Sequence, residues 1–66
     1  MLIKVNETQK EISSNLTVKE LVGELKISDN GIAIAINNSV VKKDDWINHK
    51  LQSNDNVLII RSTQGG

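Results

Sequence analysis

Apolar and polar residues alternate near the N-terminus of this chain, a pattern typical of a half-buried β-strand. Ile3 and Val5 fall on one face of this stretch and Lys4 falls on the other. A polar turn over residues 6–8 leads to a second short stretch over residues 10–13. The pattern predicts an N-terminal β-hairpin.

After the predicted hairpin, apolar residues recur at the spacing of an α-helix. Four apolar residues recur at i, i+3, i+4 and i+7 and form one stripe: Val18, Leu21, Val22 and Leu25. Thr17 and Glu20 have the spacing of a capping box, in which each side chain accepts a hydrogen bond from the other residue's backbone N–H. We predict one amphipathic helix that begins near Thr17 and ends at a turn over residues 28–31.

Three more strands are predicted in the second half of the chain. Residues 32–36 alternate isoleucine with alanine, so three isoleucines share the face that packs under the helix. A turn over residues 37–39 leads to a strand at residues 40–41, and residues 57–61 form the last strand. Trp46 is the only aromatic residue, and we expect it to be buried in the core.

The order of these elements indicates a fold class. A helix that crosses between non-adjacent strands places the first and last strands side by side, in parallel, at the centre of one sheet. This predicts an α+β domain over residues 1–61, in which a mixed five-stranded sheet packs on one helix. Residues 62–66 are predicted to form a flexible tail that leaves from a rigid strand.

The composition narrows the class of function. The chain has 66 residues, no cysteine, and eight basic and eight acidic side chains. So short a chain has little room for an enclosed active site, and the lack of cysteine excludes a disulfide framework and a thiolate metal site. No basic stripe indicates nucleic acid, and no apolar run approaches the length of a membrane span. We expect a cytoplasmic carrier or binding module that binds no cofactor or metal itself.

An enzyme acting alone is not expected from these residues. His49 has no second histidine or obvious base partner nearby in sequence, so it is assigned a structural or surface role. Asp44 and Asp45 are expected to cap a short turn before Trp46. No acid–base pair, nucleophile or metal cluster can be assembled from the rest.

The reactive group predicted from the sequence is the carboxylate of Gly66. Glycine has no Cβ, so a terminal pair of glycines can enter a slot too narrow for any side chain. Gly65 would let the tail lie flat, while Gln64 and Thr63 would offer backbone hydrogen bonds to an enzyme's slot.

A partner surface is predicted on the last strand. Alternation turns Val57 and Ile59 toward the helix, and Leu58 and Ile60 outward, where they would form an exposed apolar patch. Partner recognition is therefore expected on the open sheet face and not on the helix. Arg61 could pair with an acidic rim of the partner, or be a solvated charge at the strand end.

The whole chain resembles the ubiquitin-like β-grasp proteins and, among them, the sulfur carriers of thiamine biosynthesis, the ThiS family. The residues that carry the resemblance are Ile3-Lys4-Val5-Asn6, Thr17-Val18 with Glu20-Leu21, Ala33-Ile34-Ala35-Ile36-Asn37, Val41 with Trp46, Asp55, and Gln64-Gly65-Gly66. Glu7, Asn38 and Asn54 stand where that family tends to have glycine. Asparagine can adopt the same turn geometry, whereas Glu7 indicates a different first turn. Leu58 stands at a position where that family often has an acidic residue.

The resemblance implies a chemistry for the tail. An E1-like adenylating enzyme would use ATP and magnesium to activate Gly66, and a persulfide sulfur donor would convert it to a thiocarboxylate. That thiocarboxylate would donate sulfur to thiazole synthase. Three other classes stay open: a ubiquitin-like protein modifier joined to a lysine, the small subunit of molybdopterin synthase, and a β-grasp domain that only binds.

Overall fold

The computed structural model describes residues 1–61, which fold into five strands and one α-helix. The elements are β1 (Leu2–Val5), β2 (Thr8–Glu11), α1 (Val18–Leu25), β3 (Ile32–Ile36), β4 (Ser39–Val41) and β5 (Asn56–Arg61), with a 3₁₀ turn at Lys43–Asp45. The predicted element order and the α+β class are confirmed. The predicted tail, residues 62–66, lies outside the described residues.

One mixed sheet holds all five strands in the order β2-β1-β5-β3-β4. β1 and β5 run parallel, with Lys4 opposite Asn56 and Val5 opposite Val57, and every other pair is antiparallel. The predicted parallel pairing of the first and last strands is therefore confirmed. β5 occupies the centre of the sheet, and α1 is the connection that lets the chain cross from the β1 side to the β3 side.

The helix begins as predicted. The Thr17 hydroxyl accepts a hydrogen bond from the Glu20 N–H (3.1 Å), and the Glu20 carboxylate accepts one from the Thr17 N–H (2.9 Å). This capping box satisfies two backbone donors that a helix start leaves without intrahelical partners.

The helix ends earlier than predicted. Its last residue is Leu25, because Lys26 adopts a left-handed conformation (φ 57°) and donates its N–H to the Gly23 carbonyl (3.1 Å). The turn residues that were expected to stop the helix form a separate loop, in which the Asn30 N–H donates to the Ser28 hydroxyl (3.2 Å). That loop leads into β3.

The core lies between the apolar stripe of α1 and one face of the sheet. Its most completely buried side chains are Ile3, Val18, Leu21, Ile34, Trp46 and Val57. The isoleucines of β3 face this core as predicted, with Ile34 and Ile36 buried and Ile32 partly buried against it. Because these core residues come from β1, α1, β3, β5 and the segment after the 3₁₀ turn, the helix stripe and the sheet stabilise each other.

Trp46 belongs to the core, and its predicted burial is confirmed at 1% exposure. Its indole N–H donates to the Val41 carbonyl (3.0 Å), which satisfies the one polar atom of the ring. The predicted short turn before Trp46 is present, but the expected aspartate cap is not found, since the N-cap residue is Lys42 and no side chain caps the turn. The His49 backbone carbonyl accepts from the Val18 N–H (2.9 Å), a structural contact.

Two hairpin turns have the same geometry. Asn6 and Glu7 have φ of 50° and 71°, and Asn37 and Asn38 have φ of 50° and 73°. Positive φ at both central residues defines the type I′ turn, whose twist matches that of the flanking strands. The expectation that Glu7 gives a different first turn is wrong, because strand pairing imposes the turn despite the glutamate side chain.

Replacing Trp46 by alanine is predicted to lower the free energy of unfolding by about 3 to 5 kcal/mol, because a large buried side chain would leave a cavity. Ile47→Ala is the control, since the neighbouring Ile47 is 64% exposed. We expect the control to change stability by less than about 0.5 kcal/mol. Urea unfolding followed by circular dichroism measures both, and equal stabilities would contradict the burial of the ring.

Glu7→Gly is predicted to stabilise the protein by about 0.5 to 1 kcal/mol, because left-handed backbone is costly for glutamate and not for glycine. Asn38→Gly is the matched control at the equivalent turn position, with φ of 73° against 71°. Asparagine already tolerates this geometry, so the control should gain less. Thermal melts of the two variants test the difference, and an equal gain would contradict it.

Candidate functional site

The candidate site is built around the end of β5, because residues 62–66 follow that strand directly. β3 pairs with β5 over its last residues, from Val57 opposite Ile36 to Arg61 opposite Ile32. On the other side, the ladder between β1 and β5 ends at Val5 and Val57. The end of β5 would thus lose its support on this side without a further contact.

Asn6 supplies that contact. Its backbone N–H donates to the Val57 carbonyl (2.9 Å), and its side-chain Oδ1 accepts from the Ile59 N–H (2.8 Å). The carboxamide therefore continues the hydrogen bonding of the parallel ladder after the backbone of β1 has turned away. Sequence reasoning placed Asn6 in a turn and among the residues that carry the family resemblance, but it gave no role to the side chain, since no local pattern reveals a bond to a residue 53 positions further on.

The outward face of β5 carries the apolar patch predicted from alternation. Leu58 is 47% exposed and Ile60 is 46% exposed. Across the sheet, Ala35 lies opposite both Leu58 and Val40, and Ala33 lies opposite Ile60. We call Ala33, Val40, Leu58 and Ile60 the outer patch, because all four are exposed. Ala35 is buried between its two larger neighbours, so the patch is continuous across three strands.

Arg61 lies on the opposite face from Leu58 and Ile60. It has the same parity along β5 as Val57 and Ile59, and it lies opposite Ile32, which packs against the core. Its side chain lines a groove together with Leu25 and Ile27, at the end of the helix, and with Ile59 of the same strand. Alternation alone could have placed Arg61 on this face.

The Asp55 side chain, just before β5, has a structural role. The Asp55 carboxylate accepts from the Asn37 side-chain amide (3.0 Å) and from the Gln52 N–H (2.8 Å). The Asn37 Oδ1 in turn accepts from the Asn56 N–H (2.9 Å), which fixes the start of β5. Within residues 1–61, no group of three or more histidine or acidic side chains is placed to hold a metal ion.

The tail residues predicted to be recognised or modified, Thr63, Gln64, Gly65 and Gly66, lie outside the described residues. The described part of the chain contains no helix that is long and apolar enough to span a membrane. What the described residues provide is a fixed central strand, with one apolar surface on its open face and a second on its helix side.

Comparisons of the sequence with known proteins identify its family. The family model described as ThiS matches residues 3–66. A curated Escherichia coli (strain K12) protein named sulfur carrier protein ThiS is 32% identical over 66 residues, and the match covers 100% of both chains. This chain belongs to the ThiS family.

Solved structures show the ubiquitin-like β-grasp fold of this ThiS-family chain. The crystal structure of the thiamine biosynthesis protein ThiS from Geobacter metallireducens superposes with a TM-score of 0.87 at 22% identity, over the full length of both chains. A solution NMR structure of a thiamine biosynthesis protein from Geobacter metallireducens superposes with a TM-score of 0.80 at 22% identity. That match covers 100% of this chain and 88% of the other.

Proposed function

We propose that this protein is a sulfur carrier of thiamine biosynthesis, and that its Gly66 carboxylate is adenylated and converted to a thiocarboxylate. The observation that carries the proposal is the family match, which runs through Gly66 and covers the full length of a curated sulfur carrier. On this proposal the protein is the substrate of other enzymes and is not an enzyme itself.

The proposed chemistry overcomes the poor reactivity of a carboxylate. The Gly66 carboxylate attacks the α-phosphate of ATP, held with magnesium by an E1-like adenylating enzyme, and pyrophosphate leaves. The terminal sulfur of a persulfide then attacks the acyl carbon, and AMP leaves with the electrons of the broken C–O bond. A thiol reduces the resulting S–S bond and releases the thiocarboxylate, whose sulfur is donated to thiazole synthase.

The fold suits this role because the folded body only has to support the chain end, while the partner enzymes carry out the chemistry. β3 pairs with β5 as far as Arg61, and on the other side Asn6 supports β5 as far as Ile59. Five extended residues reach at most about 17 Å, which is enough to carry a chain end from the body into a partner's cleft. Thr63, Gln64 and Gly65 would contact that cleft through their backbone groups.

The outer patch is the surface that we propose for contact with the adenylating enzyme. An apolar surface rimmed by polar residues is typical of a protein–protein site. Leu58 and Ile60 lie on the strand that leads to the tail, so a protein that binds them is positioned to receive Gly66.

Ile60→Asp is predicted to weaken binding to the adenylating enzyme by about tenfold or more, since a charge would be buried in an apolar contact. Ile47→Asp is the control, because Ile47 is also exposed and lies outside the outer patch. Isothermal titration calorimetry measures the affinities, and circular dichroism checks that both variants fold. Unchanged affinity of the Ile60 variant would mean that the enzyme uses another face.

A further prediction distinguishes a sulfur carrier from a protein modifier. With the adenylating enzyme, ATP, magnesium and a persulfide donor, the free chain should gain the mass expected when one oxygen is exchanged for one sulfur. Mass spectrometry of the intact protein detects this product. A ubiquitin-like modifier would instead give larger lysine conjugates, and such conjugates without any thiocarboxylate would contradict the proposal.

Two variants of the chain end complete this test. Deleting Gly66 should abolish the product, because a shift of even about 1 Å in reacting geometry can cost a hundredfold in rate. Adding one alanine after Gly66 should also abolish it, because a methyl group would have to enter the slot. Normal sulfur transfer by the deletion variant would rule out the proposed role of Gly66.

A further inference from the structure

A groove lies beside Arg61 on the helix side of the sheet, at the base of the tail. Its volume is about 430 Å³, and the residues that line it are Val5, Asn6, Leu25, Ile27, Ile59 and Arg61. We call it the helix-side groove. It lies at the same end of β5 as Leu58 and Ile60, and on the opposite face of the sheet.

The floor of the helix-side groove is aliphatic. Val5, Leu25, Ile27 and Ile59 are all partly buried against the core, so each leaves part of its side chain open to the groove. Such a surface gains free energy when an apolar group covers it, at about 25 cal/mol per Å² removed from water. An aliphatic side chain fits this floor.

The polar groups of the groove are hydrogen-bond donors. Asn6 uses its Oδ1 to accept from the Ile59 N–H (2.8 Å), so the remaining group of its side chain is the Nδ2 donor. Arg61 adds a guanidinium, and the ion pairs among residues 1–61, Met1 with Glu11 and Lys43 with Asp29, do not include it. Two donors, one of them cationic, are complementary to a carboxylate.

We propose that the helix-side groove binds a segment of the adenylating enzyme in which an aliphatic side chain lies next to a carboxylate. The inference rests on the proposed function and adds a second contact to it. The enzyme would then hold the end of β5 from both faces, through the outer patch and the groove. Two contacts on opposite faces fix the direction in which the tail leaves, which one flat patch cannot do.

Two other occupants fit the groove less well. The chain's own residues 62–66 are serine, threonine, glutamine and two glycines, and none of them has an aliphatic side chain for the floor. A symmetric dimer through the groove would bring two Arg61 guanidinium groups together. The six lining residues include no carboxylate to offset that repulsion.

The first test is a charge reversal, Arg61→Glu, with Lys42→Glu as its matched control. Lys42 is exposed at the start of the 3₁₀ turn and is not a lining residue of the groove. Calorimetry against the purified adenylating enzyme should show about tenfold or greater loss of affinity for Arg61→Glu, because a complementary charge pair becomes a repulsive one. The control should stay within about twofold of the unaltered protein.

The second test maps the groove directly. Methyl NMR spectra of the unaltered protein are recorded as the adenylating enzyme is added, and the signals of Leu25, Ile27 and Ile59 should shift. Ile27→Asp should weaken binding, whereas Ile47→Asp should not. The methyl map needs no substitution, so it decides the matter even if Ile27→Asp fails to fold.

The outcomes separate this inference from the proposed function. Unshifted Leu25 and Ile27 methyls overturn the groove contact, even if Arg61→Glu binds weakly, since Arg61 would then act at the rim of the tail slot. Methyl shifts caused by deleting Gly66 in the free protein, or by raising its concentration alone, would assign the groove to the tail or to a second copy and also overturn it. Failure of the unaltered protein to form a thiocarboxylate rejects the proposed function instead.

Discussion

The pairing of β5 between β1 and β3 is the constraint on which the rest of the structure depends. A chain of 66 residues has a small core, so few contacts can be lost before the fold fails. β5 joins the hairpin made by the first two strands to the hairpin made by β3 and β4. It also buries Val57 completely beneath the helix. The strand that organises the body is therefore the strand that leads to residues 62–66.

Signals with a local physical cause were the ones that could be read from the sequence. The capping box at Thr17, the parity of β5 and the burial of Trp46 each follow from residue type and spacing, and all three are found. The features that were missed depend on partners distant in sequence or on geometry imposed by the sheet. Glu7 adopts positive φ because two paired strands require a tight turn there, and Asn6 bonds to Ile59 across the fold. The helix ends at Leu25 because Lys26 adopts left-handed backbone, and no glycine marks this end in the sequence.

The candidate site was predictable to a similar degree. Alternation correctly placed Leu58 and Ile60 on the open face, because a central strand with one covered face must expose the other residues. The same parity puts Arg61 on the helix side, opposite Ile32. The helix-side groove could not be predicted, because it depends on where the helix stops. An additional helical turn after Leu25 would have moved Ile27 away from its present place beside Ile59 and Arg61.

The chemistry of the tail explains why recognition should depend on the body. Apart from Gln64, residues 62–66 are serine, threonine and two glycines, which offer a partner little side-chain surface, so an enzyme's slot gains little specificity from them. Selectivity among chains that end in two glycines would then depend mainly on Gln64 and on surfaces near β5. An exposed apolar patch carries a risk of aggregation unless a partner covers it, and the outer patch lies on the central strand next to residues 62–66. The outer patch and the helix-side groove lie on opposite faces of the sheet at the end of β5. A partner that binds both surfaces would therefore bind more weakly to a chain that has only one of them.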